Sequence, residues 1–222
     1  MRRIGAAAAA WSGTVRLSAD RGHARLRRRA GRAIIRAMQT VATILWRRLD
    51  RPGHDACRLE RNDTAWQIDG AAAFRMEDGR VAQLHYRVRC DRHWHTQWGT
   101  VRGWVGERAI DMAIARGPRG WTLNDAPVTD LAHCADLDLG FTPATNLLPL
   151  RRLKLQDGEA AEAPAAWVDV AEGGLQLLEQ RYERISATRC AYAAPRFQFS
   201  AELALSPEGL VLDYPGLWRA ED

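Results

Sequence analysis

Alternation with a period of two dominates the chain from Met38 onward, and it restricts the fold more than any other feature. In Val81–Cys90 the even positions are Ala82, Leu84, Tyr86, Val88 and Cys90, while the odd ones include Gln83, His85, Arg87 and Arg89. Phe197–Leu205 sets Phe197, Phe199, Ala201, Leu203 and Leu205 against Gln198, Ser200 and Glu202, and Ala109–Ala115 alternates Ile110, Met112 and Ile114 with Asp111. Successive side chains of a strand point to opposite faces, so these runs predict antiparallel strands with one face buried and one solvated. Asp78-Gly79, Asn124-Asp125 and Glu208-Gly209 read as turns between strands. No long segment keeps a helical period. The expected class is all-β, a single antiparallel β-rich body.

One stretch departs from the pattern. In Thr142-Pro143-Ala144-Thr145-Asn146-Leu147-Leu148-Pro149-Leu150-Arg151-Arg152-Leu153, Thr142 can cap a short helix that has Pro143 at its first position. Pro149 is expected to stop that helix within two turns. The spacing predicts a short helical connector over 142–153 between two strand-rich halves.

Charge divides the chain. The formal net charge is +5. Residues 1–37 carry ten Arg against a lone Asp20, a net of +9, whereas residues 38–222 carry 22 Lys and Arg against 26 Asp and Glu, a net of −4. The acidic body has no reason to seek nucleic acid. The Arg- and Ala-rich arm is expected to be disordered, or to be upstream sequence read through ahead of a true start at Met38, and 38–222 is read as one domain. Its short Ile4–Trp11 stretch is followed by eight further Arg, unlike a standard export signal. The expected compartment is therefore the cytoplasm. No apolar run reaches the roughly 18 residues of a membrane-spanning helix.

Searching for chemistry excludes more than it finds. Cys57, Cys90, Cys134 and Cys190 lie too far apart for a zinc knuckle or redox pair, so free buried thiols are expected. The serines of the body are Ser186, Ser200 and Ser206, and none stands in a nucleophile elbow. A phosphate loop, a dinucleotide fingerprint and a His-Glu-x-x-His motif are also missing from the sequence. No catalytic residue, metal site or cofactor is assigned. His93 and His95 flank Trp94 and would share a face if they lay on a strand, with no third ligand at a characteristic spacing. Asp136 and Asp138 form a carboxylate pair on one strand face, suited either to acid–base work or to pairing with Arg151 and Arg152.

Tryptophan is the most suggestive element of the composition. Eight of the nine lie in the body, and Trp94, Trp98 and Trp104 fall at even positions of one strand-like run. If that run is continuous they line one sheet face. Aromatic faces suit sugar rings and acyl chains, because they offer wide apolar area with few rotors to freeze. A Trp-rich core is the alternative.

Asp136-Leu137-Asp138-Leu139-Gly140-Phe141-Thr142-Pro143-Ala144-Thr145-Asn146, continuing to Leu153 through Pro149 and Arg151-Arg152, resembles the signature block of the putative glycolipid-binding family of bacterial proteins. Further likeness lies in Trp46 with Pro52-Gly53-His54, Tyr86 through Trp94, His133-Cys134, Ala166-Trp167-Val168, Gln180-Arg181-Tyr182 and Gly209 through Tyr214-Pro215. Within these blocks Asp136, Asp138, Pro143, Pro149, Tyr182 and Tyr214 are expected to be structural. The resemblance implies an all-β, partly open barrel-like sheet similar to lipoprotein-carrier folds, and it brings no established catalytic residues.

Three functions follow as expectations. The first is non-enzymatic binding of a lipid or glycolipid in a concave sheet, with Trp94, Trp98 and Trp104 against the apolar part and Asn146, Arg151 and Arg152 against the head group. The second is an enzyme using Asp136 or Asp138 with an Arg or His. The third is an interaction module that docks through its basic arm.

Overall fold

Ala82, Leu84, Tyr86, Val88 and Cys90 are all buried on one strand, as their alternation predicts. The computed structural model describes residues 37–221, so the expectations about the arm fall outside the described residues. Six long strands open the fold: β1 (Gln39–Arg48), β2 (Gly53–Arg61), β3 (Ala65–Arg75), β4 (Val81–Asp91), β5 (Thr96–Val105) and β6 (Arg108–Gly117). Two short strands follow, β7 (Gly120–Leu123) and β8 (Ala126–Val128). Asn124 and Asp125, at φ 49° and 65°, make the two-residue turn between them, a conformation that asparagine and aspartate tolerate better than most residues.

The chain then leaves this sheet for β9 (Asp136–Asp138), a 3-10 turn at Pro143–Asn146 and the helix α1 (Leu147–Leu153). It returns through β10 (Ala160–Glu162), β11 (Ala165–Asp169), β12 (Gly174–Leu178), β13 (Arg181–Ser186), β14 (Arg189–Ala194), β15 (Phe199–Leu205), β16 (Val211–Tyr214) and β17 (Trp218–Glu221).

Fourteen of these strands form one antiparallel sheet, in the order β10-β13-β14-β15-β16-β17-β1-β2-β3-β4-β5-β6-β7-β8. Neighbours in space are neighbours in sequence except at two places: β10 beside β13, and the seam where β1 pairs with β17, with Leu45 opposite Glu221 and Arg48 opposite Trp218. The end strands β8 and β10 do not pair, so the sheet is not closed into a barrel. A second sheet of three strands, β12-β11-β9, has β9 parallel to β11.

The connector is where the structure departs most from expectation. Thr142 does cap, its Oγ1 accepting the Ala144 N–H at 3.0 Å, and Pro143 does open the 3-10 turn. Pro149, however, does not stop the helix. It sits in the first turn of α1, where a missing N–H is tolerated, and the helix ends at Lys154, which turns left-handed at φ 53°. Every residue of the segment from Phe141 to Leu150 is buried. It packs inside the body, and among the described residues no buried side-chain nitrogen or oxygen lacks a partner. That satisfaction is what allows an irregular segment to occupy a core.

Asp55 shows how the segment is tied down. It lies on the inward face of β2, fully buried, and accepts hydrogen bonds from the Tyr86 hydroxyl on β4 at 2.9 Å and from the Thr142 hydroxyl. Gly70 on β3 makes room for Tyr86: a Cβ there would stand 2.3 Å from the ring's Cζ. The ring is rigid and pinned by its hydroxyl, so it cannot swing aside cheaply. Gly70→Ala is therefore expected to lower unfolding stability by about 1–3 kcal/mol, measured by urea denaturation. A variant as stable as the wild type would show that the ring is not held.

Candidate ligand-binding cavity

Between the signature segment, β11 and the inward face of β14–β17 lies a cavity of about 460 Å³. Its wall is aromatic. Phe74 from β3 stacks on Phe141 with centroids 6.0 Å apart. Tyr192, Phe199 and Tyr214 form a cluster, with Tyr192–Tyr214 at 5.8 Å and Phe199–Tyr214 at 5.5 Å. Trp167 meets the half-exposed Phe197 edge-on at 5.5 Å, and Trp218 completes the lining.

Gly140 permits this arrangement. Its φ of 61° belongs to the left-handed region, and a Cβ there would fall 2.2 Å from Trp167 Nε1. Only glycine satisfies both conditions.

Polar groups enter the cavity at a few points. Asp138 accepts the Gly140 N–H at 2.7 Å through Oδ1 and the Gln180 amide at 2.6 Å through Oδ2. Burial pushes its carboxyl above the usual range, and the two hydrogen bonds only partly offset that. Asn146 lines the cavity while donating through Nδ2 to the Tyr182 hydroxyl at 2.9 Å. At another part of the wall Arg48 stands 5.2 Å from the Phe74 ring centroid and 5.3 Å from that of Trp218. Asp50 joins Arg48, through Nε at 2.7 Å, to Arg51, through Nε at 2.8 Å. Burial alone would raise the Asp50 carboxyl, but the two guanidinium groups outweigh it and hold it low.

A more open depression of about 770 Å³ lies over β1–β4 and the β15–β16 turn, bordered by Ala56, Arg58, Asp69 and His85. Phe, Tyr and Trp are missing from its wall, so it offers no stacking surface.

The residues predicted from sequence scatter. Trp94 is not on a strand: it sits in the turn after β4 at φ 71°, is only 4% exposed, and stacks on Trp66 at 4.5 Å with Arg151 5.7 Å away over its ring. Trp98 and Trp104 belong to β5 on the face opposite the buried Val101 and Val105, and Trp104 is 40% exposed. Trp98 and Trp104 thus share the outer face of β5, and Trp94 does not join them, because a turn and a bulge near Cys90 interrupt the alternation. His93 and His95 also lie in or beside that turn rather than on a strand, their N–H groups donating to Asp91 Oδ1. Among the described residues no three His, Cys, Asp or Glu side chains gather as a metal site. All four cysteines are buried and free.

Asp136 and Asp138 lead to different partners. Asp136 is gripped by Arg152 in a two-pronged ion pair, Nε to Oδ1 at 3.0 Å and the terminal nitrogen to Oδ2 at 2.6 Å. Asp136 and Arg152 do not line the cavity, and Arg151 caps Trp94 instead. Of the six ligand residues predicted, Asn146 alone borders the cavity. Sequence reasoning missed Phe74, Trp167, Tyr192, Phe199 and Trp218 as lining residues. The signal for Phe199 was present in its alternation; nothing local marked the others as converging.

No curated protein sequence matches this chain. A crystal structure of a DUF1089 family protein from Pseudomonas aeruginosa is similar, with 29% sequence identity and a TM-score of 0.67 over 75% of this chain and 91% of that one. Residues 43–220 match the family described as Putative glycolipid-binding, a span that takes in every residue lining the cavity. On that match the chain belongs to the Putative glycolipid-binding family.

Proposed function

We propose that the protein binds a lipid or glycolipid in the aromatic cavity without transforming it. The observation that carries this reading is the convergence of Phe74, Phe141, Trp167, Tyr192, Phe199, Tyr214 and Trp218 around one space that charged groups also border. Its volume lies within the usual range for ligand pockets. Burial of about ten methylenes supplies roughly 8 kcal/mol, the scale of micromolar affinity before ordering costs. The family's description agrees with this class of ligand.

The alternative of an enzyme placed catalysis on Asp136 or Asp138. Asp136 stands outside the cavity and is held by Arg152, which supports a structural role for it.

Native mass spectrometry of protein purified from a bacterial host, followed by solvent extraction, tests the proposal. A reproducible adduct that extracts as lipid is expected, and Trp167→Ala together with Tyr214→Ala should diminish it. A clean apo mass from several hosts, with no thermal shift from any added amphiphile, would sink the idea.

A further inference from the structure

The charges around the cavity are unequal. Arg48 and Arg51 face Asp50, Glu77, Asp138 and Asp169, two cations against four carboxylates. Asp50 lies between the two arginines and bridges them, one carboxylate against two positive charges. Asp169 caps its own turn, accepting the Ala171 N–H at 3.0 Å. Asp138 differs from these in reaching the cavity wall with only uncharged partners, the Gly140 N–H and the Gln180 amide. A carboxylate has about four acceptor positions, and these two bonds leave acceptor capacity over. An anion brought beside it would meet like charge in a low-dielectric wall, where four carboxylates outnumber two guanidinium groups.

Resting on the binding reading above, we infer that the cavity admits a neutral head group carrying hydroxyl donors and excludes an anionic one, with Asp138 as the selecting residue. A ligand hydroxyl can donate to the spare lone pairs of Asp138 while its apolar portion lies on Trp167 and Tyr192. The arginines do not reverse this preference, because Asp50 neutralises one of the two charges and Glu77, Asp138 and Asp169 outnumber the one that remains.

Three probes with the same chain test it on the full protein: octyl glucoside, octyl phosphate and octyltrimethylammonium, each below its micelle-forming concentration. Tryptophan fluorescence and thermal shift report binding. The glucoside is expected to bind roughly tenfold or more tightly than the phosphate, and more tightly than the ammonium, which has no donor. In Asp138→Asn the gap between glucoside and phosphate should narrow several-fold. Phosphate binding equal to or tighter than glucoside binding would overturn the inference while leaving lipid binding intact. Preference for the ammonium would also overturn it, showing attraction by charge rather than by hydroxyl donation. Failure of all three probes would instead count against the binding reading itself. The wild-type ranking needs no variant, so a poorly folded Asp138→Asn would not shield the inference.

Discussion

Arg152→Ala is expected to cost about 3–5 kcal/mol of unfolding stability, enough to leave a large fraction of molecules unfolded at moderate temperature. The substitution trims a partly buried side chain in the last turn of α1, and its effect is felt at Asp136, which is 1% exposed and has the Arg152 guanidinium as its ion-pair partner. Deleting one member of a buried pair strands the other. Burial already pushes the Asp136 carboxyl above its usual range even with Arg152 present. Without Arg152 it should rise further, so the variant can recover by taking up a proton, and its deficit should shrink as pH falls. Urea unfolding of wild type and variant at neutral and mildly acidic pH checks both points. Asp136→Asn combined with Arg152→Met should recover much of the loss, since removing both charges is often close to neutral. A deficit under about 1 kcal/mol, the scale of an exposed pair, would mean that water reaches Asp136.

The second large effect concerns Asp55. Burial drives its carboxyl up from 3.8 to about 6, against the pull of its hydrogen bonds from Thr142 and Tyr86. A raised carboxyl means that the folded state holds a proton the unfolded state has released. The contribution of this group to stability is thus fully present below about pH 4 and is lost as pH rises through about 6. Between about pH 4 and pH 7 the change is about 2 kcal/mol. Ion-paired carboxylates elsewhere act in the opposite direction, so the quantity to measure is the wild type minus Asp55→Asn. That difference should decline by about 2 kcal/mol across the interval, with the asparagine variant holding its stability better at neutral pH. Parallel profiles would show that Asp55 is hydrated or that its charge is compensated.

These two carboxylates also mark the limit of what one sequence discloses. Val81–Cys90 was readable because a regular strand keeps its parity from end to end, so each even residue faces inward. The run from Trp94 to Trp104 was not, because the turn at Asp91–His95 and the adjacent bulge reset that parity. Asp136 with Arg152 was within reach of sequence reasoning, being sixteen residues apart within one block. Asp55 resembled any polar residue after a Pro-Gly turn. Its environment depends on the space left by Gly70, on Tyr86 two strands away, and on Thr142, which is 87 residues distant. The cavity failed to show for the same reason. Phe74, Trp167 and Tyr214 are brought together by strand order and by the inward passage of the signature segment, and pairing between distant strands leaves no local trace. The helical turn at Pro143–Asn146 was foreseen from its Thr142 cap, but Pro149 was read as a stop when it in fact occupies a position that needs no donor.

The seam between β1 and β17 governs how the molecule can be assembled. Each hairpin from β1 to β8 can zip as soon as its residues emerge, whereas the Leu45–Arg48 end of β1 lacks its second strand neighbour until Trp218–Glu221 has been synthesised. Through most of translation the nascent sheet therefore carries a long open edge, the arrangement most prone to capture by another chain. Completion requires contacts between residues 170 or more positions apart, which places the last step among the slow, non-local ones. Trimming β17 would lengthen the life of that edge, so loss of the final strand should be felt first as poor recovery from expression and only then as loss of ligand.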